Sequence, residues 1–103
     1  MQIMAESAAR LSPNEILLLE SLTTAMVSAG LWESATHLQD LGCDYFEVQV
    51  RNTYNSTLSI GVLSSGRYFC MDHRNGAIWS GDTLSGVLER SGISPRRHDV
   101  TTH

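Results

Sequence analysis

The stretch CMDHRNGAIW, residues 70 to 79, crowds Cys70, Asp72 and His73 together. Cys70-x-x-His73 is a spacing that zinc ligands use, and His37 and Cys43 upstream are candidate partners. Cys43 and His37 could instead form a nucleophile and base, since a cysteine beside a base is how thiolates arise. The local pattern argues against both. Residues 67 to 74 read as a strand, in which neighbours point to opposite faces, so Cys70 and Asp72 share a side while His73 faces away. Asn75-Gly76 is a strong two-residue hairpin signal. It is expected to pair Arg74 with Ala77, His73 with Ile78 and Asp72 with Trp79. Cys43 follows a predicted helix end, where the dipole opposes a thiolate. Asp72 and Glu47 could share a sheet face, but nothing fixes them as a working carboxylate pair. No catalytic residue, metal or cofactor is therefore expected, and both cysteines read as small, free, buried apolar residues.

Other chemistries leave no trace. G-x-S-x-G, G-x-G-x-x-G and H-E-x-x-H are absent. All seven basic residues are Arg, which removes Schiff-base lysine chemistry and a P-loop lysine. Residues 1–50 carry a charge balance of −6 and residues 51–103 one of +2, giving the net −4. An acidic front half repels phosphate backbones, so nucleic-acid binding is disfavoured.

These residues must be positioned by a modest single domain, for which 103 residues suffice without disulfide or metal staples. Two cysteines and a start, MQIMAESAAR, without a basic and then an apolar region suggest a reducing, cytoplasmic setting. No apolar run approaches the ~20 residues of a membrane span. Asn55-Ser56-Thr57 is read as a turn rather than a glycosylation acceptor.

LSPNEILLLESLTTAMVSAG predicts the strongest helix. Ser12 is the N-cap, Pro13 the first helical residue, Glu15 the second half of a capping box and Gly30 the stop. Its apolar face (Ile16, Leu18, Leu19, Leu22, Ala25, Met26, Val27, Ala29) is broad, with Leu17 on the polar side. A homodimer through the helix at 13–29 is expected on that ground. LWESATHLQDLG predicts a second helix, because Trp32, Ala35, Leu38 and Leu41 recur at every third position. Period two follows in YFEVQVR, TLSIGVL, RYFCMDHR and AIW, and SGDTLSGVLERSG predicts a last helix from Asp82 to Gly92.

The expected fold is α+β: two N-terminal helices, a four-stranded antiparallel meander and a C-terminal helix, with the helices on one face of the sheet. The expected boundaries are an N-terminal extension at 1–11, a single domain at 12–93 and a flexible polar tail at 94–103. If Phe46, Val48, Val50, Leu58, Ile60, Val62, Phe69, Met71 and Ile78 form the core side, the far side carries Tyr45, Glu47, Gln49, Arg51, Tyr68, Cys70, Asp72 and Trp79. Aromatics ringed by charge compose a contact surface, so Tyr45, Glu47, Gln49, Arg51, Tyr68, Asp72 and Trp79 are the expected partner-binding residues. The opposite phase, with Tyr68, Cys70 and Trp79 in the core, stays open because both sides of YFCM are apolar.

The expected function is that of a small acidic, non-enzymatic protein that binds another protein. It would be an inhibitor, immunity or accessory type such as phages and mobile elements carry. One alternative is a small-molecule binder or enzyme with a pocket between helices and sheet, using His37, Cys43 or His73. The other is a nucleic-acid module. The predicted helix–strands–helix order of residues 32 to 92 resembles the double-stranded-RNA-binding domain. That family carries a basic stretch at the start of its last helix, whereas GDTLSGVLER has Asp82 and no base before Arg90.

Overall fold

A computed structural model describes residues 9–40, 42–51 and 57–93. The expected tail at 94–103, the NTYNS loop and residues 1–8 of the extension fall outside them.

Helix α1 spans Pro13–Ser28 and is capped as its sequence demands. The Ser12 hydroxyl accepts from the Glu15 amide at 3.2 Å, and the Glu15 carboxylate accepts from the Ser12 amide at 2.9 Å. These bonds satisfy two donors that a helix start otherwise leaves orphaned. Gly30, at φ +79°, supplies the left-handed residue past the end. Leu19 and Met26 are buried against the sheet, whereas Leu17 and Leu18 remain 59% and 40% exposed. The stripe that packs is thus narrower than the apolar face of the sequence.

Among the described residues five strands follow, not four. The predicted second helix is strand β1 (Trp32–Asp40), and this correction has a physical cause. The pairing of β1 shifts between Trp32 and Ser34, the signature of a β-bulge. The extra residue flips parity, so Trp32 and Ala35 both face the core despite lying three apart. Leu38 then falls on the opposite face, opposite Tyr45. The bulge thus accounts for the shared face of Trp32 and Ala35, while Leu38 continues the spacing without sharing that face. With β1 extended, the stretch that resembled the double-stranded-RNA-binding domain opens on a strand rather than on a helix.

Strands β2 (Cys43–Val50), β3 (Thr57–Val62), β4 (Tyr68–Asp72) and β5 (Ala77–Gly81) complete an antiparallel meander in chain order. Two further expectations are corrected by its register. The β4–β5 hairpin pairs Asp72 with Ala77, Met71 with Ile78 and Cys70 with Trp79, leaving residues 73–76 as a four-residue turn. The Gly76 amide bonds the Asp72 carbonyl at 2.8 Å and the Asn75 side chain accepts from the Ala77 amide at 2.9 Å. Asn75 and Gly76 do make the turn, but as its last two residues, so His73 is not paired with Ile78 of β5. Upstream, the Leu63 amide bonds the Arg67 carbonyl at 2.8 Å and Gly66 is at φ +95°. Ser64-Ser65-Gly66 is therefore a three-residue hairpin loop with glycine at the left-handed position. It sets Ile60 opposite Cys70 and Gly61 opposite Phe69.

Residues opposite one another share a face. Phe46, Val48, Leu58, Ile60 and Val62 therefore lie with Tyr68, Cys70 and Trp79 on the helix side, and Phe69, Met71 and Ile78 lie on the other. The second of the two phases is the one adopted. Helix α2 (Leu84–Ser91) lies over β4 and β5 while α1 lies over β1. Its N-cap is Thr83, not Asp82: the Thr83 hydroxyl accepts from the Gly86 amide at 3.0 Å. Leu84, Val87 and Leu88 join Leu11, Leu19, Met26, Trp32 and the inward residues of the strands in one core, with Ile93 packed against it. Among the described residues no helix is long and apolar enough to cross a membrane.

Candidate functional site

Both helices cover one face of the sheet. The opposite face holds a groove of about 500 Å³, bounded by Asp40, Cys43, Tyr45 and Glu47 on one side and Phe69, Met71, Ile78 and Ser80 on the other. Ser59 and Leu63 of the β3 line form its floor, and His73 lies at one end.

The floor is shaped by glycine. Gly61 sits in the central strand between Tyr45 and Phe69. Two strand spacings separate these neighbours, about 10 Å at ~4.8 Å each. Their ring centroids are nonetheless 6.4 Å apart and tilted by 52°, so both rings lean inward over Gly61. Phe69 is only 8% exposed although no described helix lies over this face. Beyond this pair the groove is open: Met71 is half-buried and Ile78 is 60% exposed.

The two walls differ in kind. Asp40 and Glu47 are exposed, and neither has a cationic partner among the described residues. Burial, with the negative charges of Asp40 and Glu47 and the Cys43 thiol adding to it, holds the Tyr45 phenol above its ordinary pKa. The opposite wall is apolar. The arginine–carboxylate pairs among the described residues lie elsewhere, Arg67 meeting Asp82 at 2.9 Å and Arg74 gripping Asp72 through Nε at 3.0 Å and Nη2 at 2.7 Å, while Arg10 borders a small neighbouring cavity together with Asp40.

Two polar pairs could suggest catalysis. At the groove's end Ser59 Oγ lies 2.9 Å from His73 Nε2, the reach of a nucleophile and its base. Ser59, however, lies mid-strand between β2 and β4, where ladder bonding on both sides uses the backbone donors an oxyanion would need. No carboxylate accepts from the second ring nitrogen of His73 among the described residues. The pair fixes the 73–76 turn, together with the His73 amide bonded to the Thr57 carbonyl at 3.0 Å. On the helix side, Asp44 is 2% exposed and accepts from the Leu11 amide at 2.8 Å. Its other oxygen lies 2.5 Å from His37 Nε2, and the imidazole stacks on Phe46 at 4.9 Å. That carboxylate is fully engaged in holding the chain that enters α1.

The residues singled out for metal or thiol chemistry are separated. Cys70 faces the helices with no exposure, and burial pushes its thiol up to about 11, with the Asp72 charge adding and a Ser91 hydrogen bond opposing. His73 lies on the groove side, as does Cys43, while His37 faces the helix side. Among the described residues no three His, Cys, Asp or Glu side chains are grouped to hold a metal ion.

The expected contact residues are likewise divided. Tyr45 and Glu47 line the groove, and Gln49 belongs to the same face by register. Arg51 follows β2, its amide bonded to the Leu31 carbonyl at 3.0 Å. Tyr68, Asp72 and Trp79 lie on the helix side. There the Tyr68 hydroxyl donates to the Glu15 carboxylate, which raises the phenol's pKa, as burial also does. Trp79, Asp72 and Arg74 border a second cavity of about 240 Å³ between helices and sheet, shared with Trp32 and Ile93. It contains none of His37, Cys43 or His73, the residues expected in a pocket there. Sequence reasoning missed Phe69, Met71, Ile78, Ser59 and His73 as groove residues; the three-residue loop at Ser64–Gly66 was the signal that assigns the first three.

Comparison with protein-family models, with curated proteins and with solved structures finds no match to this chain.

Proposed function

We infer that the chain is a small acidic binding protein, without catalysis of its own, that holds another protein on the open face of its sheet. One observation carries this reading. Among the described residues the core cluster lies on the helix side, yet the opposite face still presents half-buried Met71 and exposed Ile78 beside the buried ring of Phe69, around a groove with Tyr45 and acids at its edge. A solvent face of an antiparallel sheet ordinarily alternates to polar residues, and apolar exposure of this kind marks contact surfaces. Tyr, Phe and Met are the types enriched at the centres of such surfaces. An inhibitor or accessory role fits a protein that acts by occupying a partner's surface.

Affinity capture with the whole chain tests it, beside an Ile78→Asp, Met71→Ser variant that leaves the core untouched. A specific protein retained by the parent and lost by the variant is the expected result. Equal retention by both proteins would place the contact elsewhere and end this reading.

A second reading follows from the helix-side cavity at Trp32 and Trp79, which a small molecule could enter. Its volume of about 240 Å³ falls below the ~300–1,000 Å³ of ordinary ligand sites. A thermal-shift screen against metabolites checks it, since a ligand specific for the folded state raises the melting temperature.

A further inference from the structure

We propose that the occupant of the open face is a cationic amphipathic α-helix of the partner protein. The inference rests on the reading above and specifies what that partner presents. Three features of the groove lead to it. First, the site is a sheet face rather than an edge. The strands beneath have bonded one another, so an extended peptide laid across them would find no backbone partners, whereas a helix satisfies its own. Second, both described helices lie on the opposite side, as in α+β folds, so among the described residues no helix of the chain occupies this face. Third, the walls demand an amphipathic ligand. Met71 and Ile78 would take the apolar stripe beside the Tyr45–Phe69 rings, and Asp40 and Glu47, which form no ion pair among the described residues, would take basic side chains along its flank.

Spacing sharpens the pattern. Asp40 is paired with Cys43, and Glu47 lies four residues further along β2, about 14 Å at ~3.4 Å per residue. At ~1.5 Å per residue a helix covers 10.5 to 12 Å in seven or eight positions, within reach of long basic side chains. Two cations at i and i+7 or i+8, on the flank of an apolar stripe, match the two acids. The same acids repel phosphate, so nucleic acid is disfavoured as occupant.

The test is fluorescence anisotropy on the full chain. The probes are two labelled 16-residue amphipathic helices with one leucine stripe, flanked by lysine in one and by glutamate in the other. The lysine probe is expected to bind at least about 10-fold tighter. Asp40→Asn with Glu47→Gln should weaken it by about 10-fold, while Glu20→Gln with Glu89→Gln, on the helix side, should change it less than about 2-fold. Circular dichroism melts of both pairs, all at exposed positions, verify that folding is intact.

Equal binding of the two probes would overturn the charge selection while leaving the docking face standing. Equal losses from the two acid pairs would show only the field of the net charge and would also overturn it. No binding of either probe refutes the helix occupant, and the capture experiment then judges the docking face independently. Light scattering that shows a dimer abolished by Ile78→Asp would identify a second copy as occupant, against the proposal.

Discussion

A Cβ on Gly61 would lie 2.2 Å from the Asp44 carbonyl oxygen and 2.5 Å from the Tyr45 Cα, both backbone atoms that cannot swing aside. Gly61→Ala is therefore expected to part β2 from β3, at a cost of at least about 1–3 kcal/mol, seen as a lower urea midpoint with an unchanged slope. Because Tyr45 and Phe69 meet over this residue, probe binding at the groove should fall with it. Asp72 supplies a second expectation. Hydrogen bonds from Arg74 outweigh burial and hold its carboxyl below the ordinary value of 3.8. A depressed folded pKa gives stability that is present above the unfolded value and lost as pH falls through the folded one. Urea midpoints of the parent and Asp72→Asn should thus differ by a constant amount from neutral pH to about 4, and the gap should shrink below that. The cysteines separate in the same way. Cys70, fully buried with its pKa near 11, should resist iodoacetamide until the protein unfolds, whereas half-buried Cys43 on the groove wall should react in the native state.

Among the elements, those with chemical stop and start signals were the most legible. Ser12, Pro13 and Glu15 mark the start of α1 because each supplies a local partner or a fixed φ, and Ser12→Ala should cost about 1 kcal/mol of stability, seen as a lower urea midpoint. Gly92 and Ile93 mark the end of α2 equally well, with the Ile93 amide bonded to the Leu88 carbonyl at 3.0 Å. Strand β1 was illegible for a definite reason: Trp32 and Ala35, three apart, share a face in a helix and also across one bulge of an edge strand, and Leu38 extends the spacing although it faces the other way. No local rule separates the two when the strand's polar residues are exposed on both faces. The face of β4 was a different matter. A one-residue change in loop length turns every side chain of the following strand over. Ser64-Ser65-Gly66, with its glycine third, encodes the three-residue loop. The groove's apolar wall was therefore written in the loop, not in YFCM itself. The acidic wall at Glu47 was legible from alternation alone; Asp40 was hidden by the misread of β1.

At the scale of the whole molecule, one carboxylate ties the layers together at the end opposite the tryptophan cavity. Asp44 belongs to β2, accepts from Leu11 ahead of α1, and meets His37 of β1 at 2.5 Å. Leu11 itself is 5% exposed in the core, so the segment entering α1 is held by one buried side chain and one buried hydrogen bond. Asp44→Ala removes the acceptor from both partners and leaves the Leu11 amide buried without one, a loss of the kind that costs about 1–3 kcal/mol. Hydrogen exchange locates the damage: the Leu11 amide should lose protection in the variant, while amides of β3 and β4 keep theirs relative to the new global stability. Faces must also separate in this experiment. Asp44 points to the helices, so at temperatures where the variant stays folded the groove of Tyr45, Phe69 and Met71 remains assembled. Binding of the lysine-rich helix should then match the parent within about 2-fold, the margin set for acids outside the groove. A variant that loses Leu11 protection yet binds normally assigns stability to one side of the sheet and recognition to the other. A parallel loss of both would mean that the helix layer shapes the groove through the sheet, and that a single face cannot be credited with the partner.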